Sequence, residues 1–263
     1  MSTEKVTSKN EQYTLWQIFV IWLLAGAPMW LLGWGAYSAL NKGLSTTDAG
    51  LLRLRLMTIG LIWQFVLSMI ILYREEGNIR LRTIRDRFWL NHPISPQTGK
   101  KNKKLWWWII PILLLYTAAS FLVAGPLNGL WVSLFPFLAE PAGYNAAALF
   151  ENPEQWVGAW NLLVLFTVLA VFNTFLGEEF IFRGVLLPKM KGVFGKWDWV
   201  ANGVIFGVYH LHQPWMIPSG IMAGMIIAFS GKRFRTNWIP IILHSGQSVY
   251  FFILILGMVL GLA

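Results

Sequence analysis

Long apolar runs with few charges are the feature that most limits how this chain can fold. Runs of about 20 apolar residues, the length a helix needs to span hydrocarbon, lie near residues 15–40, 56–73, 105–124, 156–176 and 238–262. Only 13% of the 263 residues are charged, against about 25% in soluble domains. Within hydrocarbon only helices and closed barrels satisfy every backbone polar group. The runs lack the alternation of a barrel strand, so they predict an all-α polytopic bundle.

Three shorter apolar segments, near residues 127–138, 199–211 and 219–230, raise the expected number of transmembrane helices to about seven or eight. No repeat or soluble domain is evident, so residues 1–263 are predicted to form one integral membrane domain. Within it, residues 1–155 supply N-terminal helices, and residues 156–263 hold nearly all the polar residues placed within apolar helices.

The distribution of basic residues predicts the orientation in the membrane. Residues 74–104 contain nine Lys and Arg, and residues 125–155 contain none. Because cytoplasmic loops are rich in Lys and Arg, we expect a multi-pass protein of the cell membrane with a cytoplasmic N-terminus. Arg53 and Arg55 fall on the opposite side unless they snorkel from the second span. The net charge of +9 then indicates contact with anionic membrane lipids, and we expect no nucleic-acid partner. Residues 79–89 are predicted to form a short amphipathic helix at the interface.

Ionisable residues inside apolar helices are costly and therefore point to function. Three of the four histidines lie in or beside the last three apolar helices, and Glu178, Glu179 and Arg183 lie at the end of the helix before them. The absence of Cys excludes disulfides, thiol catalysis and cysteine-ligated zinc.

The first polar group is Glu178-Glu179-x-x-x-Arg183. On an α-helix Glu179 and Arg183 share a face, in the favoured orientation for an ion pair. Glu178 is rotated about 100° away, which leaves it beside an apolar site where it suits general-base chemistry. A charge cluster that ends a membrane span is the competing interpretation.

The other polar groups are histidines. His210 shares a helix face with Phe206, and His244 shares one with Ser248, with Gln247 beside it. Each histidine taken alone fits a hydrogen bond between packed helices, and His244 also fits a donor to an oxyanion. His212 is predicted to lie at a helix end or in a loop. Five glycines of these helices predict close packing: Gly203, Gly207, Gly220, Gly224 and Gly246.

Taken in order, these groups resemble the CPBP family, which contains CAAX prenyl proteases and bacteriocin-processing or immunity membrane proteins and is also called the Abi family. The family pattern is EExxxR, FxxxH and HxxxN or HxxxD on successive membrane helices. The resemblance covers residues 156–262. It implies an intramembrane endopeptidase acting on membrane-associated or lipidated peptides. In that reading Glu178 and His210 activate water, Glu179 and Arg183 orient the site, and His244 stabilises the oxyanion.

Ser248 departs from the family's Asn or Asp, and a hydroxyl has a shorter reach and one donor instead of two. The departure leaves open a non-proteolytic protein of the same fold that binds membrane peptides or confers bacteriocin immunity. A transporter would need a polar path through both halves, and the first three spans hold almost no ionisable residue. No cofactor is certain from the sequence. Two His and one Glu also suit a divalent metal such as zinc.

The segments 199–211 and 219–230 are about 20 Å long or less at 1.5 Å per residue. Both are expected to be too short to cross the membrane, so the loop between them should end inside it. This geometry predicts a cavity open to the cytoplasm, with His210 brought toward Glu178 and His244.

Overall fold

The computed structural model describes residues 11–141, 144 and 149–262. We label its main helices α1 (Leu15–Leu40), α2 (Thr46–Glu76), α3 (Leu81–Arg87), α4 (Lys103–Leu122), α5 (Ala124–Leu134), α6 (Trp160–Lys189), α7 (Asp198–Tyr209), α8 (Pro214–Phe234) and α9 (Trp238–Val259). In the described part of the chain, six are long and apolar enough to cross a membrane: α1, α2, α4, α6, α8 and α9. The predicted all-α membrane bundle is confirmed, while these six spans compare with the expected seven or eight transmembrane helices, a number that stays a prediction.

Apolar side chains cover the outside of the bundle as well as its core. On α4, Phe121 is 83% exposed and Leu122 is 73% exposed. Such contiguous apolar surface is stable only against lipid or another protein. The chain is therefore a multi-pass membrane protein.

The second span begins ten residues earlier than predicted, at Thr46 instead of residue 56. Ser45 caps the helix, and its side chain accepts a hydrogen bond from the backbone N–H of Asp48. This cap is favourable enough to start a helix before the hydropathy rises. Arg53 and Arg55 consequently lie inside α2. The snorkelling interpretation is wrong for Arg53, whose side chain is buried, while Arg55 is exposed.

The helix predicted over residues 219–230 is longer than expected. It extends from Pro214 to Phe234, long enough to cross a membrane, and corrects the expectation that both short segments stop part-way. Lys232 and Arg233 form its last turn, where the helix dipole favours positive charge. Of the two segments predicted to stop part-way, only the one that forms α7, with 12 residues, is that short. His212 lies in the turn between α7 and α8 as predicted, but is buried.

Glycines hold α7 and α8 close together. A Cβ at Gly207 would meet the backbone of Ile221, and one at Gly203 would lie 2.5 Å from the backbone nitrogen of Met225. The predicted close packing is therefore confirmed at these positions. Gly246 is different, because nothing lies within 4 Å of a Cβ built there.

Arg87 joins the short helix α3 to α6. Its Nε donates to Glu75 Oε2 at 2.7 Å, and its two terminal nitrogens donate to the carbonyls of Gly184 and Val185 at 2.7 and 3.1 Å. The amphipathic helix predicted over residues 79–89 is thus present as α3, and its last residue is tied into the core. These bonds hold the part of α6 that follows the two glutamates.

We expect Gly207→Ala to destabilise the protein by about 1–3 kcal/mol, the usual cost of overpacking a close contact. The added methyl group would force α7 away from the α8 backbone. Thermal unfolding in detergent measures the effect. Gly246→Ala is the matched control and should not lower the melting temperature, since its methyl group meets no neighbour; equal losses in the two variants would contradict the close-packing argument.

Candidate active site

Glu178 and Glu179 lie where two π-helical segments of α6 meet, Phe172–Gly177 and Glu179–Leu186. π-Turns are rare and often mark functional sites. The expectation of regular α-helical spacing is therefore wrong here, although the Glu179–Arg183 pair forms. Both carboxylates reach the same histidine, His244.

Glu179 and Arg183 form a fully buried ion pair. Arg183 Nη1 donates to Glu179 Oε1 at 3.1 Å, and the two side chains are 0% and 1% exposed. Arg183 Nη2 also donates to the carbonyl of Gly224 at 3.3 Å, and its guanidinium lies 4.1 Å from the centre of the Phe206 ring. A buried ion pair stabilises only when further bonds complete its geometry. These contacts supply part of that set from α7 and α8, while Arg183 Nε and Glu179 Oε2 have no hydrogen-bond partner among the described residues.

His244 connects the two glutamates. Its Nδ1 lies 2.9 Å from Glu179 Oε1, and its Nε2 lies 3.6 Å from Glu178 Oε2. A carboxylate paired with Arg183 accepts hydrogen bonds, so Nδ1 of His244 carries the proton in that contact. Nε2 is then the atom that faces Glu178.

His210 approaches Glu178 from the other side. Its Nδ1 lies 2.9 Å from the carbonyl oxygen of Phe206, and its Nε2 lies 3.9 Å from Glu178 Oε1. A carbonyl can only accept, so Nδ1 carries the proton and Nε2 of the neutral ring is an acceptor. The 3.9 Å gap is too long for a direct hydrogen bond and suits a bridging water. The predicted approach of His210 to Glu178 and His244 is confirmed.

Ser248 is the sixth predicted site residue. It is half-buried on α9, and no hydrogen bond in the described part of the chain joins it to the other five. Its neighbour Gln247 is exposed. Five of the six predicted residues therefore contact one another, and Ser248 makes no hydrogen bond to them.

Three residues that support the site were missed. Tyr209 is fully buried; its hydroxyl accepts a hydrogen bond from Gln64 Nε2 at 2.7 Å and interacts with Glu178. Asn237 Nδ2 donates to the backbone carbonyl of Glu179 at 3.1 Å. Gln64 is a buried amide in the apolar part of α2. An amide within an apolar run is a signal in the sequence, and it was missed because only ionisable residues were considered.

No group of three or more His, Asp or Glu side chains among the described residues has an arrangement that could hold a metal ion. Glu178, His210 and His244 do not meet that requirement as they stand. A divalent metal such as zinc remains a prediction.

The fold and the site together define a polytopic helical membrane protein with a buried glutamate–histidine–arginine centre. Residues 159–250 match the family model described as type II CAAX prenyl endopeptidase Rce1-like. This match confirms the predicted resemblance for the part of the chain that holds all six predicted site residues. Comparison with curated proteins and with solved structures gave no match.

We expect Arg183→Met to cost about 3–5 kcal/mol of stability, because it leaves the buried Glu179 carboxylate without its charged partner. Thermal unfolding in detergent measures it. The double variant Glu179→Gln/Arg183→Met removes both charges and should recover much of the loss.

Arg233→Met is the matched control for this experiment. Arg233 is exposed in the last turn of α8, so its replacement should change stability by less than about 0.5 kcal/mol. A loss in Arg183→Met no larger than in this control would show that the pair does not stabilise the fold.

Proposed function

We propose that the protein is a membrane endopeptidase that hydrolyses peptide bonds with water activated by Glu178 and His210. The observation that carries the proposal is the position of the Glu178 carboxylate between two histidine Nε2 atoms, at 3.9 Å from His210 and 3.6 Å from His244. A water held by Glu178 and His210 has two acceptors for its protons. The family match over residues 159–250 supports the same class of reaction.

The hydrolysis needs one proton transfer in each direction. Glu178 takes a proton from the water as its oxygen bonds to the peptide carbonyl carbon. The C–N bond then breaks, and the proton passes from Glu178 to the leaving nitrogen. The products are a carboxylic acid and an amine. His210 accepts the second hydrogen of the water at Nε2 and so holds the nucleophile in line.

His244 is the residue placed to stabilise the oxyanion. When its ring carries two protons, Nδ1 donates to Glu179 while Nε2 donates to the developing negative charge. Glu179 and Arg183 act as positioning residues, because they hold His244 by its far nitrogen. Tyr209 on α7 and Gln64 on α2 are positioning residues as well, because Tyr209 interacts with Glu178 and is itself held by Gln64.

The proposed substrates are membrane-associated or lipidated peptides, since the site lies among apolar helices whose surfaces face lipid. Membrane lipids are the second class of partner. We further propose that the N-terminus and the basic residues 74–104 lie on the cytoplasmic side. The division into residues 1–155 and 156–263 then separates a supporting half from the half that holds the acid, the histidines and Arg183.

We expect Glu178→Gln and His210→Gln each to lower the cleavage rate at least about 100-fold, the usual effect of removing a general acid or base. The assay uses purified protein in detergent with a lipidated C-terminal peptide and a mixed peptide library, read by mass spectrometry. A chelator is added in parallel to test the metal prediction.

Matched controls are Glu154→Gln and His92→Gln, which change exposed residues outside the site. Both should keep wild-type rates. Cleavage that survives Glu178→Gln and His210→Gln would refute the proposed mechanism, and a folded wild type that cleaves no peptide would refute the function.

The second candidate is a peptide-binding or bacteriocin-immunity protein, favoured by Ser248, which stands where the family has Asn or Asp and makes no hydrogen bond to the other site residues among the described residues. Under our proposal Ser248 is not needed for the reaction. Ser248→Asn should therefore change the cleavage rate by about tenfold or less, the effect of one hydrogen bond. Ser133→Asn, at an exposed serine, is the control. A wild type that binds peptides without cleaving, and gains cleavage only with Ser248→Asn, would establish the second candidate.

A further inference from the structure

A cavity of about 330 Å³ opens beside the loop that joins α3 to α4. Arg85, Lys101, Trp106 and Trp238 are among the residues that line it, and we call it the Arg85 cavity. Its volume is within the range of small-molecule sites, which is about 300–1,000 Å³. None of the six predicted site residues lines it, so the proposed reaction does not use this cavity.

The charge beside the Arg85 cavity is positive. Residues 77–104 hold eight Lys and Arg and one acidic residue, Asp86. Two arginines share this carboxylate, since Arg85 Nη2 lies 3.0 Å from its Oδ1 and Arg82 Nε lies 3.8 Å from its Oδ2. Lys101 forms no ion pair with any described residue. One carboxylate does not neutralise these cations, so the cavity wall keeps a net positive charge that suits an anion.

Strained backbone lies on both sides of the contact that forms the wall of the cavity. Trp89, with φ +55°, and Arg235, with φ +47°, are the two non-glycine residues in the described part of the chain with positive φ. This conformation is an outlier for a bulky side chain, and such strain persists only where the surroundings hold it, often at ligand sites. The Trp89 carbonyl accepts from the N–H of Asn237 at 2.8 Å, and Asn91 Nδ2 donates to the Arg235 carbonyl at 3.0 Å. The loop after α3 is thus fixed to the turn before α9, and the cavity is preformed.

The Arg85 cavity lies where two membrane spans begin. Trp106 is near the start of α4, and Trp238 is the first residue of α9. Trp side chains concentrate at the level of the lipid headgroups, and the basic loop is on the proposed cytoplasmic side, where anionic lipids give the membrane its negative surface. A lipid phosphate is therefore the anion placed to reach this cavity. Asn237, which donates to the backbone carbonyl of Glu179 at 3.1 Å, directly precedes Trp238.

We propose that the Arg85 cavity binds the phosphate group of an anionic phospholipid headgroup. Arg85 and Lys101 donate charge-assisted hydrogen bonds to the phosphate oxygens, and the planar guanidinium fits two of them at once. The rings of Trp106 and Trp238 contact the glycerol and the upper part of the acyl chains. The bound headgroup holds the turn before α9, from which one contact to the active site is made. This inference goes beyond the proposed endopeptidase function and does not depend on it.

The test titrates purified protein in neutral detergent with phosphatidylglycerol, read by native mass spectrometry, and uses phosphatidylcholine as the lipid without net charge. Wild type should bind phosphatidylglycerol more tightly than phosphatidylcholine. Arg85→Gln and Lys101→Gln should each weaken binding of phosphatidylglycerol about tenfold, the effect of a lost charged hydrogen bond, and leave phosphatidylcholine unchanged. Lys104→Gln removes the same charge from an exposed residue of the loop that does not line the cavity. Its effect should be clearly smaller, because it loses charge but no contact.

Thermal unfolding in the same detergent separates a lipid headgroup from free phosphate. Phosphatidylglycerol should raise the melting temperature of wild type and raise it less in Arg85→Gln, while inorganic phosphate alone should have no effect. A rise with inorganic phosphate that Arg85→Gln abolishes would overturn the assignment to a lipid. Equal binding of the two lipids, or equal losses in Arg85→Gln, Lys101→Gln and Lys104→Gln, would refute the cavity as an anion site. Arg85 and Lys101 are exposed, so both variants should unfold at the wild-type temperature without lipid; Arg85→Lys, which keeps the charge without the planar fork, should bind with intermediate strength and replaces a variant that does not fold.

Discussion

The buried pair of Glu179 and Arg183 is the interaction on which the arrangement of the C-terminal helices depends. Neither charge reaches water, so each needs fixed partners, and these come from three other places. Arg183 donates to Gly224 on α8, Glu179 accepts from His244 on α9, and Asn237 binds the Glu179 backbone just before α9. An error in any of these positions leaves a charge or a polar group unsatisfied in a medium where that is costly. The pair therefore fixes where α8 and α9 lie relative to α6.

That constraint explains how two adjacent glutamates take different roles. Glu179 is committed to a permanent cation, whereas Glu178 faces histidine nitrogens that can give and take protons. Both carboxylates contact His244, so the protonation state of one affects the other through a single ring. The helix thus gives up regular hydrogen bonding where it places the proposed base, as strained elements at functional sites commonly do.

The parts of this structure that the sequence predicts are those set by local pattern. Apolar runs locate the long helices, and the order of the Glu, His and Arg residues identifies the group that meets. The π-turns do not follow from local pattern. At Gly177 the helix packs so closely against α2 that a Cβ would lie 2.9 Å from the Leu61 carbonyl oxygen. The contact of Gln64 with Tyr209 joins residues 145 positions apart, and nothing local announces it. The start of α2 had a local signal, because Ser45 and Asp48 form a helix N-cap. Hydropathy alone does not detect such a cap.

The two buried arginines differ in how the protein holds their charge. Arg183 has a carboxylate, a carbonyl and an aromatic face, and its charge is neutralised within the protein. Arg53 has aromatic faces and one long bond to a carbonyl. An apolar side chain would fill the same space without the cost of burying an unpaired charge.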